Sequence, residues 1–171
     1  MFKPIGFNIK ELVDEETFAL LGEQAWRLFD IRFLITLERL KQYFGWTVIM
    51  NTWMFNNTKY NDATGASFTQ RGYRTTKSAI GAKGGAHYLG LAGDLDAYDK
   101  NTGLRVIPDF ARKSILDNID KFEYIRCLEI DINWVHFDVM GCNDHSKRSA
   151  LTSDKILLYS PSGNSQIITK S

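Results

Sequence analysis

A short amphipathic run followed at once by a β-branched one sets narrow limits on the fold of this chain. Asp30 precedes Phe33, Leu34, Leu37, Leu40 and Phe44, apolar residues recurring at three- and four-residue steps, and Gly45 follows them. That spacing predicts a helix capped by Asp30, ended at Gly45 and buried along one stripe, with Arg32, Glu38, Arg39 and Lys41 largely on the other side. Trp46-Thr-Val-Ile-Met-Asn51 then reads as a strand. A helix delivered directly into a strand demands a sheet for that stripe to pack on. Upstream, Val13 to Asp30 reads as helix, with Asp14 as its cap and Gly22 weakening its middle. Downstream, Leu89–Tyr98, Lys121–Ile130 and Asn133–Met140 read as strands. Pro108 opens a helix to about Asn118 whose apolar side is Phe110, Ile115 and Ile119. Pro161-Ser-Gly-Asn between two strand-like runs, Lys155–Tyr159 and Gln166–Thr169, signals a hairpin. The sequence leaves open whether that hairpin joins the main sheet. Helices first and strands mostly consecutive later predict an α+β fold, N-terminal helices on a small, mainly antiparallel sheet. The expected division is a domain over 1–142 and a tail over 143–171.

Composition excludes several function classes. The 171 residues carry 21 Lys and Arg against 20 Asp and Glu, a net charge of +1, which removes the electrostatic case for nucleic acid or membrane-surface binding. No apolar run approaches the roughly 20 residues that span a bilayer, and no secretory signal is visible after Met1. Cys127 and Cys142 are too few and too oddly spaced for a disulfide framework or a zinc knuckle, so they read as reduced thiols. There is no phosphate-binding lysine loop at Gly81-Ala-Lys-Gly-Gly, no Gly-x-Ser-x-Gly and no His-Glu-x-x-His. From Asn56 to Gly90 the texture turns to Gly, Ser, Thr, Asn and Lys, a loop long enough to imply function.

Two of the three histidines stand in informative settings: Gly84-Gly-Ala-His87-Tyr-Leu-Gly90-Leu-Ala-Gly-Asp94 and Asn133-Trp-Val-His136-Phe-Asp138. Gly90 permits a sharp turn, so a loop-end His87 and a strand Asp94 can face one point, with His136 arriving from another strand. Two imidazoles and one carboxylate suit Zn²⁺ with the fourth position left for water, as in catalytic sites. The same residues also read as a hydrogen-bonded core histidine and a turn aspartate. His145, in a polar stretch, reads as exposed.

His-x-x-Gly-x-Ala-x-Asp followed by Trp-x-His resembles the metal site of the zinc peptidases of family M15, which includes D-Ala-D-Ala carboxypeptidases and dipeptidases and phage endolysins that cut between L-alanine and an acidic D-residue. The hedgehog signalling domain shares that fold. Phe68-Thr-Gln-Arg-Gly-Tyr-Arg74, Ala79-Ile-Gly-Ala-Lys83 and Phe29-Asp-Ile-Arg-Phe-Leu-Ile-Thr-Leu-Glu-Arg-Leu are similar to a phage and prophage branch, and the likeness covers roughly Phe29 to Met140. It implies His87, Asp94 and His136 as zinc ligands. It also implies Arg74 facing the scissile carbonyl or a substrate carboxylate, where a guanidinium stabilises an oxyanion. Arg71 is the neighbouring candidate, and a bracing salt bridge is the plain structural reading of either arginine.

Two positions depart from the pattern. Gly85 stands where many relatives have Ser, and Asn133 stands where many have the acidic general base. Asparagine cannot accept the proton. Asp131 and Glu129 are the nearby carboxylates; were Asn133–His136 a continuous strand, both would point with Asn133, away from the His136 face. That parity favours Asp131, at the bend, over Glu129. Asp138 shares the parity of His136 and either orients a ligand or is solvated. Asp96 either meets a substrate amine or faces solvent. Trp53, Tyr73, Tyr88 and Trp134 line a cleft or belong to the core.

The expectation is a zinc-dependent hydrolase of peptidoglycan stem peptides containing D-residues, working as a monomer without nucleic acid or membrane partners. By the same resemblance it is made in the cytoplasm and reaches the wall by phage-type release or in a virion. About 30 residues follow Met140, with no recognisable wall-binding domain. The alternative is a non-catalytic metal-binding or phage structural module of the same fold.

Overall fold

The computed structural model describes residues 1–51, 53, 68–78, 84–140 and 154–170. Cys142, His145, the Gly81-Ala-Lys segment and much of the Asn56–Gly90 loop lie outside the described residues. The described chain is α+β. It has helices α1 (Glu15–Leu21), α2 (Ile31–Phe44) and α3 (Pro108–Asp117), and strands β1 (Trp46–Ile49), β2 (Ala92–Asp99), β3 (Cys127–Glu129), β4 (Val135–Asp138), β5 (Lys155–Tyr159) and β6 (Ser165–Thr169). The strands form one sheet in the order β1-β2-β4-β3-β5-β6, antiparallel throughout except for the parallel β3–β5 pair. No helix among the described residues is long and apolar enough to cross a membrane.

The helix α2 forms as its spacing predicts. The Asp30 carboxylate accepts from the Arg32 amide at 2.8 Å, and Gly45 ends the helix at φ 64°. Phe33, Leu34, Leu37 and Leu40 are buried, each contributing about 1.5–3 kcal/mol by leaving water. Phe33 stacks on Phe137 of β4 at 5.3 Å, which fixes which face of the sheet the helix covers. Val48, Leu95, Ala97, Leu128, Val135, Phe137 and Ile156 belong to that same core. Strand alternation then sends Asp94, Asp96, His136, Asp138 and Glu129 to the opposite face. The sheet is thus oily toward α2 and acidic-imidazole on its other side, and the second side carries the site.

Several elements differ from the sequence-based expectation. The Val13–Asp30 helix is two pieces: α1, capped by Asp14 accepting from the Thr17 amide at 2.7 Å, and 3-10 turns over Gly22–Leu28. The break falls at Gly22, whose φ 50° and ψ −134° no side-chain-bearing residue adopts at low cost. Phe110 is 62% exposed, so α3 turns Ala111 and Ile115, not Phe110, to the core. The two long strands are short: Ile119–Phe122 is a 3-10 turn, β3 has three residues and β4 has four. The predicted hairpin forms as β5 and β6 and extends the main sheet through β3.

The link between β3 and β4 is held from outside. Arg112, buried on α3, donates to the carbonyls of Trp134 (2.6 Å) and Ile132 (3.0 Å). Arg105 donates to the Asn133 carbonyl and to its Oδ1 at 3.2 Å. Three successive carbonyls leading into β4 are therefore satisfied by two guanidinium groups, which pins the strand that carries His136.

Candidate metal centre

His87 sits in a 3-10 turn, Ala86–Leu89, that ends at Gly90 with φ 65° and ψ 30°. The motif glycine is required twice over. Its backbone is left-handed, and a Cβ there would lie 1.8 Å from the Leu28 carbonyl oxygen. The Gly90 carbonyl in turn accepts from the Asp30 amide at 3.0 Å, tying the histidine turn to the start of α2. Gly90→Ala is expected to destabilise the fold by about 3 kcal/mol or more, read as a fall in urea midpoint.

The ring of His87 is oriented by the backbone: Nδ1 lies 2.7 Å from the Gly72 carbonyl oxygen. A carbonyl only accepts, so Nδ1 carries the proton and Nε2 presents its lone pair. Asp94 lies on β2 directly opposite His136 on β4. Its Oδ2 accepts from Arg74 at 2.8 Å, while its amide donates to the Arg71 carbonyl at 2.8 Å. Oδ1 is left facing the two imidazoles.

Three donor atoms meet in a triangle. Asp94 Oδ1 lies 2.6 Å from His136 Nδ1 and 3.4 Å from His87 Nε2, and the two ring nitrogens are 3.4 Å apart. Around a tetrahedral ion with bonds of 2.0–2.1 Å, ligand atoms sit about 3.3 Å apart. Two edges match that figure; the short third is a hydrogen bond, in which a proton takes the place a cation would fill. His87, Asp94 and His136 therefore form a buried cluster able to hold a metal ion, each 6–7% exposed.

Electrostatics follow from the burial. Burial alone would raise the Asp94 carboxyl, but hydrogen bonds and charge from His136 and His87 outweigh it and hold it well below the usual carboxylate range. Burial pushes His87 down, against the pull of Asp94. For His136 burial acts downward too, but the Asp94 hydrogen bond and charge, with Asp138 and Glu129, carry it above its ordinary value. In the metal-free centre burial thus favours the neutral form of His87, while Asp94 favours the protonated form of His136.

Arg74 is committed to Asp94 and, through Nε, to the Gln70 carbonyl at 2.7 Å, so its guanidinium braces a candidate ligand. Arg71 stacks 3.6 Å over the Phe68 ring and pairs with buried Asp96 at 2.5 Å; Arg105 pairs with Asp96 too. Asp96 therefore holds two arginines instead of facing solvent. Trp53 is buried, its Nε1 donating to the Val13 carbonyl at 2.6 Å, and Tyr73 packs on the core edge-on to Phe29. Tyr88 donates its hydroxyl to the Ser78 carbonyl at 3.1 Å. Trp134 is half-buried.

Glu129 does not point away from the His136 face as alternation predicted, because residues between β3 and β4 form a turn, not a strand. Asp131 lies there at φ 61°, exposed. Glu129 is the register partner of His136 and shares its face. Tyr159, which no sequence pattern singled out, is in turn the partner of Glu129. Its ring lies edge-on to His136 at 6.2 Å. Its hydroxyl is pushed above the ordinary range by burial first and then by the Glu129 charge and hydrogen bond. Asp94, His136, Glu129 and Tyr159 thus form one row across four strands. No family model, no curated protein and no solved structure matches this chain.

Proposed function

We propose that this chain is a zinc-dependent peptidase of the M15 type, acting on the D-residue-containing stem peptides of bacterial peptidoglycan. The observation that carries the reading is the triangle of His87 Nε2, Asp94 Oδ1 and His136 Nδ1, three donors from three separate segments. The donor set suits Zn²⁺, with one position left for a further ligand. When bound there, the ion supplies Lewis-acid polarisation of the scissile carbonyl and activation of water. The motif likeness at His87–Asp94 and Trp134–His136 supplies the substrate class. In the same reading the enzyme meets the wall after phage-type release or within a virion.

The chain's own residues divide the remaining work. Gly72 fixes the His87 tautomer through its carbonyl, and Arg74 fixes Asp94 through Oδ2. Glu129, on the His136 face, takes the proton as water adds to the peptide carbon and returns it to the amine as the C–N bond breaks. This assignment makes good the carboxylate missing at Asn133.

Asp94 raises the His136 pKa in the metal-free centre, and below that pKa binding a cation at Nδ1 must displace a proton. Below that pKa, apparent zinc affinity is expected to rise about tenfold per unit of increasing pH and then level off. Competition titrations with a chromophoric chelator across the acidic to neutral range check this; a flat profile contradicts it.

One observation favours the second reading, a non-catalytic metal-binding module: the side chain at 133 is an amide engaged by Arg105. Purified protein given zinc and peptidoglycan fragments separates the two. New amine groups, lost in His136→Ala, support the peptidase; stoichiometric zinc without turnover supports the module.

A further inference from the structure

The hairpin of β5 and β6 reaches the site through one side chain. β5 runs parallel to β3 and is locked to it by backbone bonds, Leu157 amide to Arg126 carbonyl at 2.9 Å and Ile130 amide to Tyr159 carbonyl at 2.7 Å. Ile156 is buried in the main core, so the strand is held from the α2 side as well. Its site-side residue at the end is Tyr159. Register partners project to the same face, so Glu129 has His136 on one flank and Tyr159 on the other. The phenol thus stands beside the Glu129 side chain, and its ring lies edge-on to His136 with an interplanar angle of 83°.

A glutamate at the end of a three-residue strand has three side-chain torsions to fix before its carboxylate can serve a proton transfer. A neutral hydroxyl that donates one hydrogen bond to one carboxylate oxygen fixes that orientation without supplying a competing charge. It also leaves the second oxygen for water. The ring edge on His136 limits how far the phenol can swing. We propose that Tyr159 is the positioning residue of Glu129, and that the C-terminal hairpin thereby completes the site instead of decorating it. The inference rests on the reading of Glu129 as the proton acceptor of a hydrolase.

The test uses the full zinc-loaded chain and soluble peptidoglycan stem peptides, with wild type, Tyr159→Phe, Glu129→Gln and the double variant. Tyr159→Phe is expected to lower kcat about 10- to 100-fold, the usual scale for partners that orient a working group, with KM and zinc per chain unchanged. The double variant should be no slower than Glu129→Gln alone. A kcat within twofold of wild type, a loss confined to KM, or loss of zinc overturns the proposal. If wild type releases no amine, the peptidase reading falls by itself, and the contact is judged by melting the metal-free variants. A double-variant Tm loss smaller than the sum of the two single losses supports the Glu129–Tyr159 positioning contact; strictly additive losses overturn it.

Discussion

Replacing His136 with alanine is expected to leave a folded chain that no longer retains stoichiometric zinc. The residue supplies one corner of the donor triangle, 2.6 Å from Asp94 Oδ1 and 3.4 Å from His87 Nε2. With two donors left, affinity should fall by well over the roughly 10–100-fold typical of losing a partner outside the ligand set. Hydrolysis of stem peptides should drop to background. His87→Ala should behave alike, since its Nδ1 bond to Gly72 exists to aim Nε2 at the same point. Elemental analysis after gel filtration, with far-ultraviolet circular dichroism to confirm folding, reads both. Zinc retained at one per chain in either variant would contradict the assignment of that histidine.

The second large effect concerns the proton. Glu129→Gln is expected to reduce kcat by roughly 10²–10⁴-fold, the range for removing a positioned general base, while zinc content stays at the wild-type level. Asp131→Asn should stay within about twofold, because Asp131 is exposed in the turn between β3 and β4 and Glu129 is the residue facing His136. Steady-state kinetics on stem peptides decides between the carboxylates. A severe loss on altering Asp131 with Glu129→Gln near wild type would reverse the roles. Together the two sets separate metal capture from proton transfer, since the histidine variants lose zinc and turnover together whereas Glu129→Gln loses turnover with zinc retained.

The parts of the fold legible in sequence are those set by local physics. The α2 stripe, its Asp30 and Gly45 ends, the β1 run and the Pro161–Asn164 hairpin each follow from spacing, capping and turn chemistry within about 15 residues. The candidate ligands were legible because Gly90 marks a forced turn and because Asp94 and His136 lie in strand-like runs. What the sequence hid is long-range pairing. The parallel β3–β5 pairing joins residues about 30 apart, and nothing in either run names its partner, so no sequence pattern marks Tyr159. The same blindness misdirected Glu129, because alternation carries a side-chain direction only as far as the strand continues, and β3 stops at residue 129. Phe110 reads as core with Ile115 and Ile119, yet five residues put it about 140° round the helix from Ile115, and Ala111 and Ile115 take the buried side while Phe110 is exposed. Arg74 and Arg105 carry a related lesson. Both lie near the candidate site, yet both are spent on holding it: Arg74 on Asp94, Arg105 on Asp96 and on the Asn133 turn.

Two imidazoles and one carboxylate of this chain are expected to share one cation. X-ray absorption at the zinc edge of the loaded wild-type protein tests it most directly. The account predicts a first shell of nitrogen and oxygen only, near 2.0–2.1 Å, with the outer-shell signature of two imidazoles. A scatterer at about 2.3 Å, the distance of a thiolate sulfur, or a shell without imidazole would contradict it.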